Sequence, residues 1–218
     1  MAKASFSPFE AEGVRGYLHK SATAGDGMAL THGAGGNANS PLLVAVAEAF
    51  QNAGVTVLRC DLPFRQQRPS GPPRPADSPK DRAGLRAAVA ALRKIVSGRV
   101  FLSGQSYGGR QSSMLAADEP ELVEALMLLS YPLHPPGKPA ELRTAHFPRL
   151  RTRTLFVQGS HDPFGSIKEM ERAMKMIPAP HRLTVVEGAG HDLKRGRFDL
   201  GALTGGLSQL VAAAPPRP

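Results

Sequence analysis

Three residue types that together can perform acyl transfer each stand in a glycine-marked stretch of this chain. They are Ser106 in Gly104-Gln105-Ser106-Tyr107-Gly108, Asp162 in Gly159-Ser160-His161-Asp162, and His191 in Gly188-Ala189-Gly190-His191. A serine hydroxyl is a weak nucleophile at neutral pH. It is activated when an imidazole within hydrogen-bond reach takes its proton and a carboxylate fixes the tautomer and orientation of that imidazole. The Ser106 pentapeptide follows an apolar run at 99–103 and leads into a helix-like stretch at 109–117. This is the setting of a strand-to-helix elbow, where flanking glycines relieve clashes and the hydroxyl stands above the sheet edge. Alone the pentapeptide is a weak signal: with 23 glycines in 218 residues, chance order gives G-x-S-x-G in roughly one chain in six.

Acyl transfer also needs two preorganised N–H donors where the carbonyl oxygen becomes negative. One is expected from the amide of Tyr107, directly after the nucleophile. The other is expected from the glycine-rich loop His32-Gly33-Ala34-Gly35-Gly36-Asn37, with Ala34 first and Gly33 next. His32 is read as structuring that loop, and His134, His146 and His161 are given no role. The loop lacks the Lys-Ser/Thr of a P-loop and the spacing G-x-G-x-x-G, so nucleotide binding is not expected. No His, Asp, Glu or Cys grouping has metal-ligand spacing, so neither metal nor cofactor is expected.

These residues must be carried by a frame, and the chain alternates short β-rich runs with longer helical ones. Strands are expected at 27–31, 55–60, 99–103, 125–130, 154–158 and 182–187. Helices are expected at about 41–53, 81–96, after Ser106, at 166–176 and at about 199–213. Residues 61–77 read as a polar, proline-rich loop, and 14–18 as a candidate antiparallel edge strand. Alternation of this kind gives a three-layer α/β/α sandwich on a mostly parallel sheet. Ser106, Asp162 and His191 then fall after the carboxyl ends of strands, where such sheets bind ligands.

Length and composition bound the reading. The 218 residues, 41% hydrophobic, suffice for one α/β domain over 1–218, with no linker or repeat dividing them. The first residues lack a secretory apolar stretch and no run is long enough to span a membrane, so a soluble, cytoplasmic protein is expected. The single cysteine, Cys60, reads as a small core residue. The net charge of +9 is spread over dispersed arginines, Arg65, Arg110 and Arg153 among them, and aromatics make up 6% of the chain. The charge is therefore read as solvated surface, and nucleic-acid binding is not expected.

Further stretches carry a family resemblance: Gly104-Gln-Ser-Tyr-Gly-Gly-Arg110, Tyr131-Pro-Leu-His-Pro-Pro-Gly-Lys138, Leu155-Phe-Val-Gln-Gly-Ser-His-Asp162, and the loops at 32–37 and 188–191. With them the chain resembles the α/β-hydrolases over nearly its whole length. Within these it is similar to the small, lidless group near the dienelactone hydrolases, including bacterial proteins similar to a regulatory subunit of a chromatin acetyltransferase complex. The resemblance implies that Ser106, Asp162 and His191 correspond to nucleophile, acid and base, in the order Ser, Asp, His. The nucleophile of dienelactone hydrolases proper is a cysteine, so a diene-lactone substrate is not carried over.

Two alternatives accompany these assignments. Asp162 stands before Pro163, where it could cap a following helix, and Asp192 is adjacent to His191 in sequence. Only 23 residues, 131–153, separate the strands where a cap domain would be inserted, and five of them are proline, so an open site is expected. The expected activity is cleavage of small carboxylic esters or thioesters through an acyl-enzyme. The alternative from another class is a non-catalytic binding or scaffold protein with a basic surface.

Overall fold

Side-chain direction alternates along each strand, and here both directions are apolar: Leu126 and Leu128 enter one core while Ala125, Met127 and Leu129 enter the other. A strand buried on both faces needs a helical layer on each side. The computed structural model describes residues 6–23, 25–194 and 198–212. Its elements in chain order are β1 (Ser7–Ala11), β2 (Val14–His19), β3 (Gly27–Thr31), α1 (Pro41–Asn52), β4 (Thr56–Cys60), α2 (Pro63–Gln67), α3 (Ser78–Arg93), β5 (Val100–Gln105), α4 (Tyr107–Asp118), β6 (Ala125–Leu129), β7 (Arg153–Gly159), α5 (Ile167–Met174), β8 (His181–Val186) and α6 (Leu200–Ala212).

The strands form one eight-stranded sheet in the order β1-β2-β4-β3-β5-β6-β7-β8. From β4 to β8 all neighbours are parallel, and β2 joins β4 antiparallel, with Gly16 opposite Cys60. The antiparallel strand expected at 14–18 is therefore present, but it does not form the edge: a further strand, β1, which the sequence reading does not contain, pairs outside it. Glu12 and Gly13, with φ of 54° and 78°, make the two-residue turn between them.

One core lies under α3, α4 and α5, where Leu85, Leu92, Leu115 and Met170 meet Leu58, Leu102, Leu128 and Phe156. The other lies under α1 and α6, where Leu43, Val46, Phe50, Leu203 and Leu207 meet Met28, Leu30, Met127 and Leu155. All the strand residues in this list are at most 1% exposed, so truncating one such leucine to alanine costs about 2–5 kcal/mol.

Helix starts follow local chemistry. Pro41 and Pro79 occupy first-turn positions, where the missing N–H would be unpaired anyway. Ser166 and Glu169 close a reciprocal capping box on α5, Ser166 N donating to Glu169 Oε2 at 2.9 Å. Three expectations shift: α3 begins three residues early at Ser78, the stretch read as loop contains α2, and the β6 strand stops at Leu129 because Ser130 turns to φ 49°. The expected end of the last helix at Ala213 lies outside the described residues. Among the described residues no helix is long and apolar enough to cross a membrane.

Candidate active site

The chain leaves β5 at Gln105 and enters α4 at Tyr107, reversing over one residue. Ser106 takes φ 50° and ψ −114°, a conformation that disfavours any side chain by about 1–3 kcal/mol. The turn is tied to the next strand by Ser106 N donating to Leu129 O at 2.8 Å. It also needs glycine at 104: a Cβ there would stand 2.5 Å from the Gly108 carbonyl carbon and 2.6 Å from Gly109 N. The strain has a geometric result, since Ser106 Oγ is lifted off the sheet toward His191 Nε2, 2.8 Å away.

His191 is positioned by lacing between the loops that follow β7 and β8. Ser160 N donates to Val186 O at 3.1 Å, His161 N to Ala189 O at 2.9 Å, and Gly188 N to Ser160 Oγ at 2.9 Å. The approach is so close that a Cβ on Gly159 would stand 2.6 Å from Gly190 O. His191 Nδ1 thereby comes 2.8 and 3.0 Å from the two oxygens of Asp162, whose side chain is fully buried. Asp162 accepts two more N–H bonds, from Gln158 Nε2 at 2.9 Å and Phe164 N at 2.9 Å. Its oxygens are held from several sides, which fixes the proton of His191 on Nδ1 and leaves Nε2 free to accept from the serine. Phe164 stacks on the imidazole, centroids 4.0 Å apart and planes at 28°.

The two carboxylates lie in different surroundings. The cap of α5 is Ser166, so Asp162 is not the cap. Asp192 is exposed and turns back to its own segment, accepting from Lys194 N at 3.1 Å.

The Gly33 and Ala34 segment passes beside the elbow, close enough that a Cβ on Gly33 would stand 3.3 Å from Ser106 Cβ. Among the described residues, the amide N–H groups of Gly33, Ala34 and Tyr107 have no protein acceptor. The loop is shaped from beneath by two side chains. His32, fully buried, has Nδ1 2.8 Å from Gly33 O and accepts from Leu62 N on Nε2 at 3.1 Å; burial first of all lowers its pKa. Arg65 of α2 donates to Ala34 O at 2.8 Å, Gly36 O at 2.8 Å, Gly71 O at 3.0 Å and Arg68 O at 3.1 Å.

Contrary to the expectation of solvated surface charge, Arg65 is only 5% exposed. Arg153, at 7% exposure, is ion-paired with Glu124, and Arg59, fully buried, donates to His19 Nε2 at 2.7 Å. In each case a buried carbonyl, carboxylate or imidazole replaces the water the guanidinium gives up. The first residue of α4 has its own anchor. Tyr107 Oη donates to Asp81 Oδ2 at 2.7 Å, and Asp81, buried in α3, also accepts from Phe64 N at 3.0 Å. Ser106, Asp162, His191 and the glycine loop are legible in sequence; the contacts of Gln158, Phe164, Arg65 and Asp81 join residues whose types give no signal.

A cavity of about 500 Å³ opens over these groups, lined by Gly33, Ala34, Ser106, Tyr107, Phe164 and His191, with Arg110 and Arg143 on its wall. The rim between β6 and β7, residues 131–152, contains a single short 3₁₀ turn at Phe147–Arg149. Among the described residues no group of three or more His, Cys, Asp or Glu could hold a metal ion. Cys60 is buried, and that burial above all pushes its thiol pKa up to about 12, so it is a packing residue.

Among solved structures the chain is similar to a dienelactone hydrolase from Anabaena variabilis, at 22% identity over 95% of this chain and 98% of that one, with a TM-score of 0.72. It is similar to Est1E from Butyrivibrio proteoclasticus with ferulic acid bound, at 17% identity, 95% and 98% coverage and a TM-score of 0.70. It is also similar to an alpha-beta serine hydrolase homologue from Coxiella burnetii, at 18% identity, 99% coverage of each chain and a TM-score of 0.68. Identities this low speak for the fold. Residues 25–213, which take in the elbow and both loops of the site, match the family described as Alpha/beta hydrolase domain. A mostly parallel sheet flanked by helices, a strained serine between strand and helix, and a family match over that whole stretch together make this chain a member of the alpha/beta-hydrolase domain family.

Proposed function

We propose that the chain is a serine hydrolase that cleaves small carboxylic esters or thioesters through an acyl-enzyme. The observation that carries this reading is the unbroken line Ser106 Oγ, His191 Nε2, His191 Nδ1, Asp162, with both hydrogen-bond gaps at 2.8 Å, at the floor of an open cavity. Ser106 attacks the carbonyl carbon as His191 takes its proton. The tetrahedral intermediate collapses when His191 returns that proton to the departing alcohol or thiol, leaving Ser106 acylated. Water, deprotonated by the same imidazole, then releases the acid. Asp162 keeps the tautomer and balances the imidazolium.

The N–H groups of Tyr107 and Ala34, with Gly33 as the neighbouring donor, meet the oxyanion. Their lack of protein acceptors supports that role. The names of the similar structures, a dienelactone hydrolase and a protein bound to ferulic acid, support small carboxylic acid derivatives as the substrate class. A binding or scaffold role would give no chemical reason for a strained serine aimed at an oriented imidazole. A fluorophosphonate probe tests the reading. Covalent labelling that disappears in Ser106→Ala, with turnover in a panel of esters and thioesters, is the expected result; no labelling and no turnover would refute it.

A further inference from the structure

Arg110 follows Ser106 by four residues, and its amide donates to Ser106 O at 2.9 Å, so the two belong to one helical face. Arg143 reaches the same cavity from the rim, where its own amide donates to Leu133 O at 2.8 Å. Both arginines also line an adjoining cavity of about 240 Å³, shared with Met114 and His146. Two arginines thus line both the Ser106 cavity and the one beside it.

Neither is neutralised by the protein. Among the described residues the side chains of Arg110 and Arg143 enter no hydrogen bond or ion pair, and Arg110 Nε is buried without an acceptor. Glu141 acts on Arg143 through its charge, but its ion pair is made elsewhere. Glu141 pairs with Lys138 at 2.9 Å, Asp118 with Arg149 at 3.2 Å, and Asp162 with His191.

The neighbours register the excess positive field. Burial and then the charge of Arg110 lower the pKa of Arg143, and burial followed by Arg110 and Arg149 holds His146 at about 4. Half-buried cations without a counter-charge are unfavourable until an anion completes them, and paired guanidinium forks match the oxygens of carboxylate or phosphate.

We propose that Arg110 and Arg143 capture an oxyanionic group, carboxylate or phosphate, borne by the ester or thioester that Ser106 attacks. The proposal rests on the serine-hydrolase reading and adds the charge of the substrate to it.

Two measurements test it, one of them free of turnover. In the first, kcat/KM is compared for the 4-nitrophenyl monoester of adipic acid and its ω-methyl ester, where the charge is on the acyl side. The same comparison uses 4-carboxyphenyl acetate and its methyl ester, where the charge is on the leaving group. In one of the two pairs the anionic ester is expected to be preferred about tenfold or more, and Arg110→Met or Arg143→Met to cut that preference about tenfold. Arg110→Lys, which keeps the charge and loses the fork, should restore part of it, and thermal melts identify any variant that fails to fold.

In the second measurement, calorimetric titration of Ser106→Ala with adipate and with inorganic phosphate should show saturable binding of one of them, weakened about tenfold by Arg143→Met. The tighter ligand tells carboxylate from phosphate. Equal turnover of charged and neutral esters in both pairs, or no binding of either anion, overturns the proposal. Anion binding with no ester turned over supports anion capture and refutes the hydrolase reading instead.

Discussion

Arg65 and Ala34, 31 positions apart in sequence, are joined by a 2.8 Å hydrogen bond from guanidinium Nη2 to the carbonyl oxygen. The bond fixes the Ala34–Gly35 peptide, which is hinged at the Ala34 Cα to the Gly33–Ala34 peptide that carries the Ala34 N–H; that second peptide is held through Gly33 O by His32 Nδ1 and Gly36 N. Arg65→Met removes the donor for four carbonyls at once. We expect about 2–4 kcal/mol of lost stability and a fall in kcat of about tenfold to a hundredfold, with KM changed less, because an oxyanion donor acts mainly in the transition state. Arg65→Lys should recover part of kcat. A variant with normal kcat and only a lower melting temperature would reduce Arg65 to a structural residue.

Ser106→Ala should keep the fold, since the turn is held by glycine contacts and the Ser106 N to Leu129 O bond rather than by the hydroxyl. For an activated ester kcat should fall by on the order of 10³ or more. Steady-state kinetics that retain most of the activity would exclude Ser106 as nucleophile.

The two aspartates near His191 should behave in opposite ways. Asp162→Asn leaves the volume but lets Nδ1 lose its proton preference, lowering kcat by roughly 10²- to 10⁴-fold. Asp192→Asn alters an exposed group that contacts Lys194 and should change kcat by less than about threefold. The reverse ranking would reassign the acid.

Acid should destabilise the protein before carboxylates titrate. Burial, then the charge of Arg59, lowers the His19 pKa from 6.5 to about 4, and His146 is likewise at about 4. Above pH 6.5 both are neutral folded or unfolded, and stability is complete. Between 6.5 and 4 the unfolded chain takes up protons that the folded chain refuses, so stability falls as pH falls, by at most about 3 kcal/mol per histidine. Urea midpoints at pH 7.5, 5.5 and 4.5 measure this, and His19→Gln should flatten the slope. A midpoint constant across that range would contradict the burial of these imidazoles as neutral acceptors.

Much of this architecture was legible because it is locally encoded. Apolar runs marked the parallel strands, a proline after Ser40 marked α1, and glycines marked the elbow and the loops carrying Asp162 and His191. What escaped is what distance in sequence conceals. β1 is exposed at four of its five positions, with only Phe9 half-buried, so no apolar face announces it. Arg65 reads as any surface arginine until α2 folds it under the glycine loop. Gln158 and Phe164 flank Asp162 in sequence, yet only the packed loops show one bonding its carboxylate and the other covering the imidazole. In sequence Arg110 reads as dispersed charge, and the fold sets Arg143, from the rim, beside the same cavities.

The rim between β6 and β7 is fastened rather than hinged. Tyr131 Oη donates to Arg143 O at 2.7 Å, His134 N donates to Phe164 O at 3.0 Å, and the Tyr131 ring wedges between Phe147 and Phe156 with centroids 5.4 and 5.8 Å away. On the proposed reading as an ester hydrolase, a fastened rim leaves no gate for an oil–water boundary to open. Its rate against a sparingly soluble ester should follow the dissolved concentration smoothly and level off where droplets form, instead of rising sharply there. Adaptation to new substrates would then proceed by exchanging wall residues, one pocket shape for another, and not by retuning a moving part.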